Sequence, residues 1–246
     1  MTMKRLALAA LATTIALPAL AQDMTDAERQ VFRSEVRSYL MEHPEVLMEA
    51  IQVLDQRQQQ QQATADGDLV TQNADAIFHS AADWVGGNPQ GDVTVVEFMD
   101  YRCGYCRQAS AEVDSLVAKD GNIRFVLKEL PILGEQSVLA SRFALAVKMT
   151  AGDEAYKKVH DQFYALRGEV NEATLKRIAG DLKVDWAAVQ PKMDSAEVSQ
   201  VIADNRALAQ ALQIQGTPTF VIDQTMLRGY VPEASMAQVV ADERKG

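Results

Sequence analysis

The 246-residue sequence contains two cysteines, Cys103 and Cys106, in the run Cys103-Gly104-Tyr105-Cys106. Two thiols at this spacing can close a disulfide on each other, and so can store and exchange two electrons. As thiolates they can also hold a soft metal ion such as Cu(I), which stays open beside the redox reading. A tetrahedral zinc site needs four ligands, and no further cysteine exists to supply them. His43, His79 and His160 are isolated from one another and from the motif, and they are assigned no role. The expectation is redox chemistry with no resident cofactor beyond the cysteine pair and no metal site.

The flanking residues say how the pair is held. Val93 to Met99 (VTVVEFM) is a β-branched, mostly apolar run, the pattern of a buried central strand. A helix should follow it, with Cys106, Ala109, Val113, Leu116 and Val117 on its inner face. Gly121-Asn122 ends that helix, and Ile123 to Leu127 reads as a second strand, giving a βαβ unit. Cys103 then falls at the helix start, where free backbone N–H groups and the helix dipole favour the thiolate. A thiolate attacks disulfides, so Cys103 is the expected nucleophile. Cys106 lies one turn further in and faces the core, as the expected resolving thiol.

Two more features belong to this chemistry. Glu97 sits in the strand, six residues before Cys103. A carboxylate in a core strand is costly unless it has a task, and here it can move protons to and from Cys106. The alternative is an outward-facing position on an edge strand. Gly216-Thr217-Pro218-Thr219 directly precedes a late strand. A cis peptide at Thr217-Pro218 would present backbone groups to an extended substrate chain beside the cysteines, although trans is the commoner form of any X-Pro bond.

The remaining elements frame this centre. Ala76-Ile77-Phe78 reads as a short first strand, and Gly86 to Asp92 as a dense turn. Residues 135–212 are helical in pattern. Helices are marked by Leu139, Phe143 and Val147, and by Tyr156, Val159 and Phe163. A third starts at Asn171, and a fourth is capped by Asp194 with Glu197. Thr219–Ile222 and Thr225–Arg228 form a hairpin, and Val231 to Arg244 a closing helix.

The N-terminus is of another kind. Lys4 and Arg5, the apolar run Leu6 to Leu17 and Ala19-Leu20-Ala21 describe a secretory signal cleaved after Ala21. Thr25 and Glu28 cap a helix, and Pro44 opens a second. Leu40, Leu47 and Leu54 fall at heptad spacing. Gln58 to Gln62 and the residues up to Asp66 read as a low-complexity linker, either flexible or a frayed helix. This arm packs on its own domain or on copies from other subunits. A linker that lets it stand apart favours self-association.

Composition narrows the class. With 48% apolar residues, 24% charged residues, 13 Gly and 7 Pro, the chain is neither collagen-like nor wholly disordered. Losing residues 1–21 would take the net charge from −10 to −12, which argues against nucleic acid as a partner. An exported chain with a single cysteine pair three residues apart gains little from it as a staple, so the pair is there for chemistry.

These residues resemble the thioredoxin superfamily, and the helical insertion resembles its DsbA-like branch, the exported thiol–disulfide oxidoreductases of bacteria. The stretch Val95 to Arg107 is very similar to that branch. The resemblance covers roughly residues 70–246. It implies an α/β thioredoxin fold with a helical insertion at about 135–212, within a domain spanning 67–246. It also implies that Glu97 is the buried acid of that branch and that Pro218 is its cis proline. Gly104-Tyr105 and Thr217 are similar to the disulfide isomerases, which places Gly104, Tyr105, Thr217 and Pro218 at the substrate.

A helical arm (residues 22–66) before such a domain looks like the suppressor-of-copper-sensitivity protein C group. That resemblance implies oligomerisation through the arm, isomerase activity on misoxidised or reduced client proteins, and a membrane-bound reductase as electron donor, all in the periplasm. A monomeric DsbA-like dithiol oxidase and a copper-binding protein using the same cysteines are the alternatives.

Overall fold

The computed structural model describes residues 24–245, so the expected signal segment 1–21 lies outside the described residues. Two compact units meet between Arg57 and Gln58, and each is described by itself. Among the described residues no helix is long and apolar enough to cross a membrane.

The first unit holds α1 (Asp26–Glu42) and the opening turns of α2 (Glu45–Gln72). Thr25 caps α1 through the expected reciprocal box with Glu28. No residue of α1 is buried, and Val31, Phe32, Tyr39, Leu47, Ile51 and Leu54 all remain exposed. These apolar faces have no core within the unit.

Of the two forms expected for the glutamine run, the helical one is found, without fraying. Gln58 to Gln62 is regular helix inside α2, which runs on through the expected boundary at residue 66 to Gln72. Gln and Ala are good helix formers, and the run contains no Gly or Pro, so low complexity does not break the helix. Asp66 and Val70, in the last turns of α2, are buried in the second unit.

The second unit is built on five strands in the order β1-β3-β2-β4-β5. They are β1 (Trp84–Gly87), β2 (Val93–Met99), β3 (Ile123–Glu129), β4 (Thr219–Ile222) and β5 (Thr225–Arg228). The β2–β3 pair is parallel and bridged by α4 (Gly104–Asp120), which is the expected βαβ unit. Strands β1 and β4 run antiparallel to their neighbours. Gly121 ends α4 in the left-handed conformation that glycine adopts without strain.

Successive side chains of β2 alternate between the sheet faces. Val93, Val95 and Met99 join the larger core with α4 and the helical insertion. Val96 and Phe98 join a smaller core with Val70, Ile77, Leu208 and Leu212. Glu97 therefore points to the same face as Val95 and Met99, towards α4.

Two local expectations fail here. Ala76–Phe78 is not a strand but part of the helical turn α3 (Ala74–Phe78). The first strand is instead Trp84–Gly87, overlapping the segment expected as a turn. Pairing of Trp84 with Leu127 and of Gly86 with Phe125 overrides the local glycine signal. A β-carbon on Gly86 would run into the Trp84 ring.

The insertion comprises α5 (Glu135–Ala151), α6 (Asp153–Ala165), α7 (Glu172–Leu182), α8 (Trp186–Met193) and α9 (Ala196–Ala211). Asn171 caps α7 as expected. The short α8, with Pro191 inside it, was not legible in the pattern. The cap of α9 is Ser195, whose hydroxyl accepts from the Val198 N–H, and not Asp194. The chain closes with α10 (Glu233–Glu243). This is an α/β thioredoxin fold of the DsbA-like kind.

Candidate functional site

Cys103 stands at the C-terminal end of the central strand, as the N-cap of α4. Its sulfur accepts from the Cys106 backbone N–H at 3.4 Å and lies 3.1 Å from the Thr217 carbonyl oxygen. Only 7% of Cys103 is exposed, and Cys106 is fully buried. Both cysteines are free thiols in this structure.

The two sulfurs are electrostatically unlike. The Cys103 thiol is drawn down to about 5, chiefly by a hydrogen bond from the Cys106 side chain. The Thr217 side chain and the backbone N–H groups of Cys106 and Tyr105 act in the same direction, against partial burial. The Cys106 thiol is pushed far up, first by burial, then by its bond to Cys103 and by Glu97. One thiol is thus kept as a nucleophile while its neighbour keeps a proton in reserve.

Glu97 lies in the central strand and is 1% exposed, which disposes of the edge-strand alternative. It pairs with Leu127 on one side and Phe220 on the other. Its Oε1 has no hydrogen-bond partner among the described residues. Burial pushes its carboxyl up to about 8, with the negative charges of Asp114 and Cys103 adding to the effect. Such a carboxyl holds its proton through neutral pH, and its ionised fraction can accept one from a neighbouring thiol.

Thr217-Pro218 is a cis peptide, and it leads straight into β4. Gly104 and Tyr105 cap the exposed rim; Tyr105 is 64% exposed and stacks on Tyr230 with ring centroids 6.3 Å apart. The Tyr230 hydroxyl in turn donates to Glu112 on α4. The structure thus brings Cys103, Cys106, Glu97, Gly104, Tyr105, Thr217 and Pro218 to one end of the sheet. Among the described residues no group of three or more His, Cys, Asp or Glu side chains is placed to hold a metal ion.

Sequence reading missed the residues that hold the approach to Cys103. Asp100 is fully buried, and its carboxylate accepts from the Arg102 N–H at 2.7 Å, the Ile132 N–H at 2.8 Å and the Leu133 N–H at 3.0 Å. It ties the turn before Cys103 to the loop after β3. Behind it, the Tyr101 and Tyr156 hydroxyls donate to Glu129 Oε1 at 2.8 and 2.7 Å, and the Ser141 hydroxyl donates to Oε2 at 2.6 Å. Burial pushes Glu129 up to about 7. An Asp directly after a buried strand was the only available signal, and it marks a side-chain turn as readily as a tether.

Residues 94–241 match the family described as the DSBA-like thioredoxin domain, and residues 28–61 match the copper resistance protein ScsC N-terminal domain. A thioredoxin-like oxidoreductase from Silicibacter pomeroyi DSS-3 superposes with TM-score 0.66 at 42% identity, covering 70% of this chain and 98% of that one. BcfH from Salmonella enterica Typhimurium superposes with TM-score 0.71 at 29% identity, covering 87% and 95%. A periplasmic thioredoxin-like protein from Salmonella enterica serovar Typhimurium gives TM-score 0.64 at 25% identity, covering 70% and 96%. Among curated sequences, the Na(+)/H(+) antiporter NhaA 3 of Salinispora tropica is 31% identical over 160 residues. That match covers 65% of this chain, which spans only 24% of the antiporter's length.

Proposed function

The chain belongs to the DSBA-like thioredoxin domain family, and on that premise we propose that it is a thiol–disulfide oxidoreductase acting as a protein disulfide isomerase or reductase in the periplasm. The observation that carries the reading is the pairing of a stabilised Cys103 thiolate with a buried, protonated Cys106 beside Glu97.

The Cys103 thiolate attacks one sulfur of a client disulfide. That S–S bond breaks, a mixed disulfide forms, and the departing client sulfur leaves as a thiolate that takes a proton. In isomerisation, a client thiolate then attacks the client sulfur of the mixed disulfide and Cys103 departs unchanged, with no net electron transfer. In reduction, the ionised fraction of Glu97 takes the Cys106 proton, and the Cys106 thiolate attacks Cys103. The Cys103–Cys106 disulfide closes, and the client leaves carrying both electrons. A membrane-bound reductase would return the pair to the dithiol. No other cofactor takes part.

The periplasmic assignment draws on the signal-like N-terminus and on the description of the Salmonella relative as periplasmic. The exposed apolar faces of α1 and early α2 support self-association through the arm. Several active sites would then face a shared client. A second reading, a monomeric oxidase, draws on the lowered Cys103 thiol. Stabilising the reduced form makes the disulfide a better oxidant.

Reactivation of scrambled ribonuclease separates the two. Isomerase action predicts reactivation by the full chain. Oxidation of reduced ribonuclease without reactivation of the scrambled form would instead establish the oxidase. Failure of Cys106→Ser to trap any client in a mixed disulfide would refute both.

A further inference from the structure

The charge beside Cys103 has the opposite sign to that of the chain, whose net charge is −10. Arg102 directly precedes the nucleophile. Arg107 follows it by one turn of α4, with its backbone N–H donating to the Cys103 carbonyl at 3.1 Å. Both guanidinium groups reach to the loop after α6. Arg102 Nη1 donates to the Gly168 carbonyl at 2.9 Å, and Arg107 Nη2 donates to the Leu166 carbonyl at 3.2 Å. Between those two accepting residues the loop carries a third arginine, the exposed Arg167.

These charges are left unneutralised. The carbonyl partners are neutral. The arginine ion pairs among the described residues belong to Arg142, Arg177, Arg228 and Arg244. The carboxylates on the same segments offset little. Asp100 is buried and accepts from three backbone N–H groups, and Glu172 is paired with Lys176. The exposed Glu169 offsets one charge of the three.

A Cys103 thiolate by itself repels a disulfide that carries carboxylates beside its sulfurs. Guanidinium groups fixed next to the thiolate reverse that sign. They raise the local concentration of an anionic disulfide and give its carboxylates a place to rest.

We propose that Arg102, Arg107 and Arg167 form a cationic rim that selects disulfides within acidic segments of client proteins, and that Arg102 and Arg107 are specificity-determining residues for exchange at Cys103. The inference rests on the exchange reaction proposed above and names its substrate class. The bonds made and broken are those already described; the rim acts on the encounter.

The test uses the full reduced chain and three symmetric decapeptide disulfides, whose central cysteine is flanked by Asp, by Asn or by Lys. Each second-order rate constant is divided by that of 2-mercaptoethanol with the same peptide, which removes differences in intrinsic reactivity. At low ionic strength the Asp peptide should react about tenfold faster than the Lys peptide, with Asn between, the size expected for a few unit charges acting across roughly 7 Å of water. In 1 M NaCl, where the screening length falls to about 3 Å, the three should converge to within about twofold. Arg102→Gln with Arg107→Gln should slow the Asp peptide about fivefold and leave the Asn peptide within about twofold. Arg102→Lys with Arg107→Lys keeps both charges and should retain the preference for Asp.

Equal rates for the three peptides with the unaltered chain overturn the rim. So does a preference that survives 1 M salt, or an equal loss with all three peptides in the glutamine variant. A lysine variant that loses the preference as fully as the glutamine variant overturns selection by charge. An unaltered chain that reacts with none of the peptides overturns the exchange reaction itself, and this inference with it.

Discussion

The Cys103 sulfur lies 3.1 Å from the Thr217 carbonyl oxygen, although 114 residues separate the two along the chain. The contact follows from the sheet. Strand β2 ends just before Cys103, and β4 runs antiparallel beside it, with Phe98 opposite Thr219. The start of β4 therefore lies next to the end of β2. The nucleophile and the loop proposed to receive the client are neighbours before any client arrives.

The far-ultraviolet thiolate absorbance of the reduced protein should titrate with a midpoint near pH 5, the Cys103 value. A thiol held below its ordinary value stabilises the folded dithiol fully above the unfolded value. That stability is lost as pH falls through the folded one. The thermal midpoint of the reduced form should thus drop towards pH 5, and Cys103→Ser should flatten that slope. Cys106→Ala removes the largest lowering contact and should move the titration upward.

Glu97→Gln should raise stability and slow chemistry together. The folded chain keeps a proton on Glu97 up to about pH 8, whereas the unfolded chain releases it near 4.5. Stability therefore falls as pH rises through that window, and the glutamine variant should gain roughly 2–4 kcal/mol at its upper end. Attack by Cys106 on the mixed disulfide should slow about tenfold to a hundredfold without its proton acceptor. Denaturant unfolding at two pH values and rapid-quench kinetics read the two effects separately.

Asp100→Ala should destabilise the fold by about 2–4 kcal/mol, because three backbone N–H groups lose a charged acceptor. Asp100→Asn keeps acceptor capacity and should lose about half as much. The accompanying sign is a rise in the Cys103 thiolate midpoint, since the turn that presents the helix N-terminus is loosened. Chemical denaturation and thiolate titration check both.

Phe32→Asp or Ile51→Asp should reduce the sedimentation mass of the full chain to that of one copy. Both residues are exposed apolar groups of the arm. A chain that already sediments as a monomer before substitution would refute self-association.

Much of the centre was readable from local pattern. Alternation and β-branching marked Val93 to Met99 as a buried strand. Helical spacing from Cys106 to Leu116 marked the inner face of α4, and Asn171 marked a cap. These signals lie within a few residues, so a linear reading can use them. The same logic misplaced the first strand, because pairing with β3 and not local propensity makes Trp84–Gly87 a strand.

The rest depends on which elements become neighbours. Glu97 could be written down as a strand carboxylate, but its burial beside Cys106 follows from the central place of β2 in the five-strand order. Asp100 reaches Ile132, Asp66 reaches Arg228, and Gln62 shares a groove with Thr217, all across long stretches of chain. Periodicity assigns a residue to a face of its own element. It carries no term for the partner across a gap of a hundred residues, which sheet order and helix docking supply.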